Sequence, residues 1–171
     1  MIDWNAILGE HSRAVWNAAY RLLGNDADAS DCFQEAFAGA LAFSKKQNIK
    51  NFRALLLRLT TCRAMDILRQ RHRKITPISF EQMPDAEIQT TDNPVSSAEN
   101  KELAETLLNA LSKLEPVEAE IFCLKHLDNL CASEIAQAVG LKENHIGVII
   151  HRAKNKLKAL LQNTQYNQDV N

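Results

Sequence analysis

The sequence is poor in residues that break helices and has no cluster that marks a chemical centre. Only five glycines and four prolines occur in 171 residues, too few for a turn-rich β-protein, and no segment alternates apolar and polar residues as a half-buried strand does. The four cysteines, Cys32, Cys62, Cys123 and Cys131, form no C-x-x-C pair. The grouping of Cys123, His126 and Cys131 lacks the spacing of a zinc site. Cys32 and Cys62 sit in apolar helical contexts, where a reduced cysteine acts as a small core residue, which suits a reducing, cytoplasmic compartment. No apolar run approaches a membrane span. The opening MIDWNAILGEHSRAV has acids and a histidine where a signal peptide needs a basic start and an apolar core. With five scattered histidines, no nucleophile–base pair and no phosphate loop, neither an enzyme nor a metal, cofactor or small-molecule substrate is expected.

What is present is helix-forming and unevenly charged. Apolar residues make up 46% of the chain, enough for a helical core. The net charge of −1 conceals an asymmetry. Arg53, Arg58, Arg63, Arg69, Arg71, Arg73 and Lys74 face a single acid, Asp66, whereas Glu81, Asp85, Glu87, Asp92, Glu99 and Glu102 face only Lys101. Blocks of opposite sign point to separate surfaces with separate partners. Pro77, Pro84 and Pro94 fall within a polar stretch, 76–100, that reads as a linker, although Ile78, Phe80 and Met83 suggest that part of it packs. The expected architecture is therefore all-α, with two small helical domains over 1–75 and 101–165 joined by that linker.

In the first half, one amphipathic helix runs from Trp4 to Leu23 and stops at Gly24-Asn25. A second begins near Asp28, with Asp28 at its cap, and buries Phe33, Ala36, Phe37, Ala40 and Leu41 at helical spacing. Its outer face presents Asp31, Gln34 and Glu35. Capping and the helix dipole explain Asp28 and Asp31, but Glu35 lies two turns in, too deep for that account. After the polar loop Ser44–Asn51, a third helix from Phe52 to about Lys74 is buried nearly all round at Leu55, Leu56, Leu57 and Leu59, then becomes charged. Arg58 and Arg69 are three turns apart and Arg73 one turn further, so these three share a face. A solvated helix end is one reading of these cations and phosphate contact the other.

The second half holds the most telling pattern. Ser133 to Val139 makes a short helix ended by Gly140-Leu141, and from Ile146 the residues Ile149, Ile150, Ala153, Leu157, Leu160 and Leu161 form one apolar stripe. The opposite face carries Asn144, His145, His151, Arg152, Lys154, Asn155 and Lys158. Two short helices with a tight turn, the second basic outward, is the plan that sets a helix in a DNA major groove, and a helical hairpin with a solvated face remains the alternative.

The segments RLLGNDADASDCFQEAF, FRALLLRLTTCRAMDILRQRHRK and ALSKLEPVEAEIFCLKHLDNLCASEIAQAVGL followed by HRAKNKLKALL resemble the bacterial sigma-70 family, and the size and plan resemble its extracytoplasmic-function group. That resemblance implies an alternative sigma factor whose partners are core RNA polymerase, promoter DNA and an anti-sigma factor. It implies that Asp28, Asp31, Gln34 and Glu35 dock on polymerase. Lys45, Lys46, Asn48, Arg58, Arg69, Arg71, Arg73 and Lys74 would hold the −10 element. Asn144, His145, Val148, His151, Arg152, Lys154 and Lys156 would read the −35 element. Gly147 and Ile149 stand where the family has cations, and both are expected on the groove face. Cys131 stands where the family often has a capping serine. A sigma-like interaction protein without promoter reading is the alternative function.

Overall fold

The computed structural model describes residues 2–75 and 98–168, and these form seven helices with no strand among the described residues. They are α1 (Trp4–Leu23), α2 (Asp26–Ser44), α3 (Phe52–Ile75), α4 (Ala98–Ser112), α5 (Pro116–His126), α6 (Ala132–Val139) and α7 (Glu143–Gln168). Helix α4 thus takes the last residues of the stretch read as a linker; the rest of it, with Ile78, Phe80 and Met83, lies outside the described residues.

Local chemistry sets the helix ends. The Asp3 carboxylate accepts from the N–H groups of Asn5 and Ala6 at 3.0 and 3.1 Å, satisfying two donors that no helical carbonyl reaches. Gly24 ends α1 in the left-handed region, with φ of 72°, which side chains resist. Asn25 caps α2, its side-chain oxygen accepting from the Asp28 N–H at 2.9 Å. The cap is therefore Asn25, three residues before the Asp28 expected from sequence, because an amide oxygen there reaches the third helical N–H. Asn51 caps α3 in the same way, accepting from the Ala54 N–H at 2.9 Å. Pro116 opens α5, where its missing N–H costs nothing. Gly140, with φ of 76°, closes α6.

Helices α1, α2 and α3 form one bundle and α4 to α7 a second, yet α3 also packs against α4, α5 and α6. Val15, Ala36, Ala40, Leu55 and Leu56 form a core within the first bundle. Two other cores run through both halves: Met65 and Leu68 cluster with Leu111, Cys123 and Leu157, and Ala54 and Leu57 with Ile121, Leu124, Ile135 and Ile146. Leu41, expected inside, is 42% exposed, because Ala36 and Ala40 already fill the face of α2 that meets α3. In α7 the apolar stripe is as read: Ile146, Ala153 and Leu157 are buried, and Ile149, Ile150, Leu160 and Leu161 partly so.

Leu56 is fully buried in the core confined to the first bundle. Leu56→Ala should lower the free energy of unfolding in denaturant by about 2–5 kcal/mol, the cost of lost transfer energy plus a cavity. A loss under about 1 kcal/mol would mean that the bundle is not built on this residue.

Candidate nucleic-acid interface

The outer face of α2 carries Asp31, Gln34 and Glu35, all exposed. Glu35 is ion-paired to Arg63 of α3 at 2.6 Å, a contact between two solvent-accessible side chains that is worth little by itself. Asp28 belongs to the scaffold instead. Its carboxylate accepts from Arg71 and, at 3.1 Å, from the Asn25 amide, and these two bonds, Arg71 first, hold it below the usual carboxylate range.

The loop between α2 and α3 presents Lys45, Lys46 and Asn48 to solvent. Beside it lies a cavity of 290 Å³, lined by Asn48, Ile49, Asn51 and Leu55 on one side and by Gln137 and Ala138 of α6 on the other. The cations of α3, grouped by sequence on one face, have divided tasks. Arg58 pairs with Glu120 of α5 at 2.7 Å and donates a second bond to the Ala138 carbonyl at 2.7 Å. Arg69 is largely buried, 3.5 Å from Asp66. Arg71 donates to the Leu23 carbonyl at 2.9 Å as well as to Asp28, tying α3 to the junction of α1 and α2. Arg73 and Lys74 are exposed at the helix end.

Several polar residues for which no site role is expected from sequence bridge the two halves. Arg21 donates to the Leu127 carbonyl and reaches Asp128 at 3.3 Å, while Arg53 donates to the Asp128 carbonyl at 3.2 Å. Asn51 donates from its amide nitrogen to Glu134 at 3.2 Å. Burial pushes the Asp128 carboxyl up to about 6, outweighing the pull of Arg21 and Arg53. Nothing local in the sequence marks these contacts, since each joins residues that only the tertiary fold brings together.

Along α7, Asn144, Val148, His151, Arg152 and Asn155 fall on one exposed face, with His145 and Lys154 flanking it. Asn155 and His151 are hydrogen-bonded at 3.1 Å, which fixes both side chains one turn apart. Lys156 lies aside from that face, both oxygens of Glu118 accepting from its ammonium at 2.8 Å. Gly147 is exposed, as expected, with open space where a side chain would begin. Ile149 is not on the groove face: it is half-buried and packs on the core built around Ile121 and Ile135. An apolar residue there serves packing. At the start of α6 the Cys131 N–H donates to the Glu134 carboxylate at 2.8 Å, so Glu134 supplies one half of the cap.

Burial pushes the thiols of Cys32 up to about 11 and of Cys62 and Cys123 to about 12, which keeps them protonated and unreactive. Among the described residues no three of histidine, cysteine, aspartate and glutamate gather as a metal would require. Among the same residues no helix is long and apolar enough to cross a membrane.

Two family models match the chain in order: Sigma-70 region 2 over residues 7–74 and Sigma-70 region 4 over residues 104–157. The chain is 28% identical over 164 residues to the ECF RNA polymerase sigma factor SigE of Mycolicibacterium smegmatis, covering 94% of this chain and 62% of that protein. It is 29% identical over 163 residues to the RNA polymerase sigma factor NccH of Alcaligenes xylosoxydans xylosoxydans, covering 93% of this chain and 87% of that one. In fold it is similar to the sigma factor RpoE of Bartonella quintana, solved in complex with the anti-sigma factor NepR, with a TM-score of 0.56 and 20% identity over 94% of this chain and 97% of that one.

Two outcomes are expected from these surfaces. Replacing Arg73 and Lys74 by alanine should leave the fold intact and flatten the salt dependence of DNA binding by about one unit of slope per lost phosphate contact, whereas Arg71→Ala should lower the melting temperature. A salt slope unchanged by the double substitution would make the exposed helix end a solvated one only. The second concerns Asp128, whose folded-state value lies above the 3.8 of a free aspartate, so the folded chain takes up the proton first. The native chain should therefore gain stability over Asp128→Asn as pH falls from about 6 towards 4, by at most about 3 kcal/mol, and lose that gain above 6. Unfolding free energies of the two forms at several pH values would reveal a flat difference if the carboxylate were not buried.

Proposed function

Because the chain belongs to the sigma-70 family, in its extracytoplasmic-function group, we propose that it works as an alternative sigma factor. It binds core RNA polymerase and directs it to promoters, lending specificity and no chemistry of its own. The observation that carries this is the succession of both sigma regions along one chain, with an exposed polar helix face in each.

In this reading Asp31, Gln34 and Glu35 contact polymerase, with Asp28 fixing the start of their helix through Arg71. The loop cations Lys45 and Lys46, together with Arg73 and Lys74, follow the strand backbone at the −10 element. The cavity beside Asn48 and Asn51 receives an unstacked base, a combination of charge and shape suited to single strands. Arg58, Arg69 and Arg71 support that surface from within, through Glu120, Asp66 and Asp28. At the −35 element, Asn144, His145, Val148, His151 and Arg152 face the bases and Lys154 a phosphate, while Lys156 joins them only by releasing Glu118. Because Ile149 is half-buried, its lack of charge is a matter of packing, which leaves Gly147 as the one of these two changes that favours a sigma-like protein without promoter reading. An anti-sigma factor is a further partner, by analogy with the complex of the Bartonella quintana protein. The place of work is the cytoplasm, where core polymerase and the chromosome are.

Run-off transcription with purified core polymerase on genomic fragments should yield discrete transcripts that depend on this chain. Reversing both charges on α2, Asp31→Lys with Glu35→Lys, should leave the helix content intact and weaken binding to core polymerase at least tenfold. Co-purification unchanged by that double reversal would remove α2 from the polymerase contact.

A further inference from the structure

We propose that Asn155 and Gly147 make His151 the reader of one purine in the −35 element: Asn155 fixes the ring as a hydrogen-bond donor, and Gly147 clears the space before it. This deepens the sigma-factor reading and rests on it. Asn155 is exposed on the same face of α7 as His151, one turn beyond it, and its amide nitrogen lies 3.1 Å from His151 Nε2. An amide nitrogen only donates, so Nε2 accepts and the neutral ring carries its proton on Nδ1. Among the described residues that bond is the only one His151 makes, so the Nδ1 N–H is left for a partner outside the chain. In a major groove such a donor meets N7 of either purine, whereas cytosine presents an amino group and is refused.

The group that holds the ring does not itself reach the bases. At 1.5 Å per residue, His151 lies roughly 12 Å and Asn155 roughly 18 Å along the helix from Glu143. A recognition helix contacts bases with its N-terminal residues in a groove roughly 12 Å wide, so His151 falls at the limit of reach and Asn155 beyond it. Asn155 is thus a positioning residue: without it the imidazole turns among its rotamers and presents either nitrogen. Gly147 stands one turn before His151 and is exposed. Neither its backbone nor its surroundings require glycine, since its φ is not positive and nothing lies within 4 Å of where a Cβ would be. Glycine inside a helix weakens it, so folding alone gives no reason for this residue. What it leaves is a gap between Asn144, Val148 and His151 into which a base edge fits.

The test uses the holoenzyme, core polymerase with the full chain, selecting from promoter duplexes randomised through the −35 region. The native chain should enrich a purine at one position, and His151→Ala should lose that preference. Placing the 7-deaza form of that purine in the selected duplex, which replaces N7 by C–H and keeps base pairing, should weaken native binding about threefold to tenfold, the worth of one neutral hydrogen bond, and leave His151→Ala unaffected. Asn155→Ala should relax the choice at that position alone, a pattern that general loss of helix stability would not give. Gly147→Leu should raise the melting temperature by about 2–4 °C and yet relax the same choice, so that stability and selectivity move in opposite directions. Undiminished binding of the 7-deaza duplex, a pyrimidine enriched at the position that depends on His151, or selection unaltered by Asn155→Ala or by Gly147→Leu would overturn the proposal while the holoenzyme still transcribes. If the chain supports no transcription by core polymerase, the sigma-factor reading falls and this inference with it.

Discussion

Helix α3 is buried on nearly all sides over its first four turns, because two sets of helices need it at once. Leu55 and Leu56 complete the bundle with α1 and α2, while Ala54 and Leu57 meet Ile121 and Ile135 of the second half. An ordinary amphipathic helix has one apolar stripe and keeps its opposite face wet. Here that face receives α5 and α6, and its remaining polar positions, Arg53 and Arg58, must find partners within the protein. The bridges to Glu120, Asp128 and the Ala138 carbonyl follow from that need. A charge there without a partner would be expensive, and truncating one side of such a pair exposes the cost of the other.

The chain accordingly uses its cations in three ways. Arg21, Arg53 and Arg58 join the halves; Arg71 ties α3 to the α1–α2 junction and to the Asp28 carboxylate; Lys45, Lys46, Arg73 and Lys74 remain in solvent. The last set can follow a phosphate backbone without giving up a bond to another helix, Arg73 donating only to the Arg69 carbonyl one turn back on its own helix at 3.4 Å. The same sorting applies on α7, where Lys156 is held by Glu118 and the face from Asn144 to Asn155 is open. Net charge near zero is therefore compatible with nucleic-acid contact, since affinity depends on how many cations are unoccupied where the strand lies.

Much of this is legible in the residues. Period and glycine punctuation locate α1 and α6 closely, because Gly24 and Gly140 end these helices through a backbone conformation that the residue type announces. The apolar stripe of α7 is likewise plain. What local pattern does not reveal is tertiary. Arg58, Arg69 and Arg73 share one face by spacing, yet they meet a carboxylate from α5, a largely buried environment and open water respectively. Ile149 looks like a lost cation in the sequence and is core in the fold, a distinction that depends on where α6 packs against α7. Leu41 fits the apolar period of α2 but falls beyond the area that α3 covers.

The closed arrangement of the two halves around α3 is most directly measured by small-angle X-ray scattering of the free, full-length chain in dilute solution. A radius of gyration of about 16–18 Å is expected for one packed body of this length. A value above about 24 Å, with the broad distance distribution of two separated bundles, would contradict it.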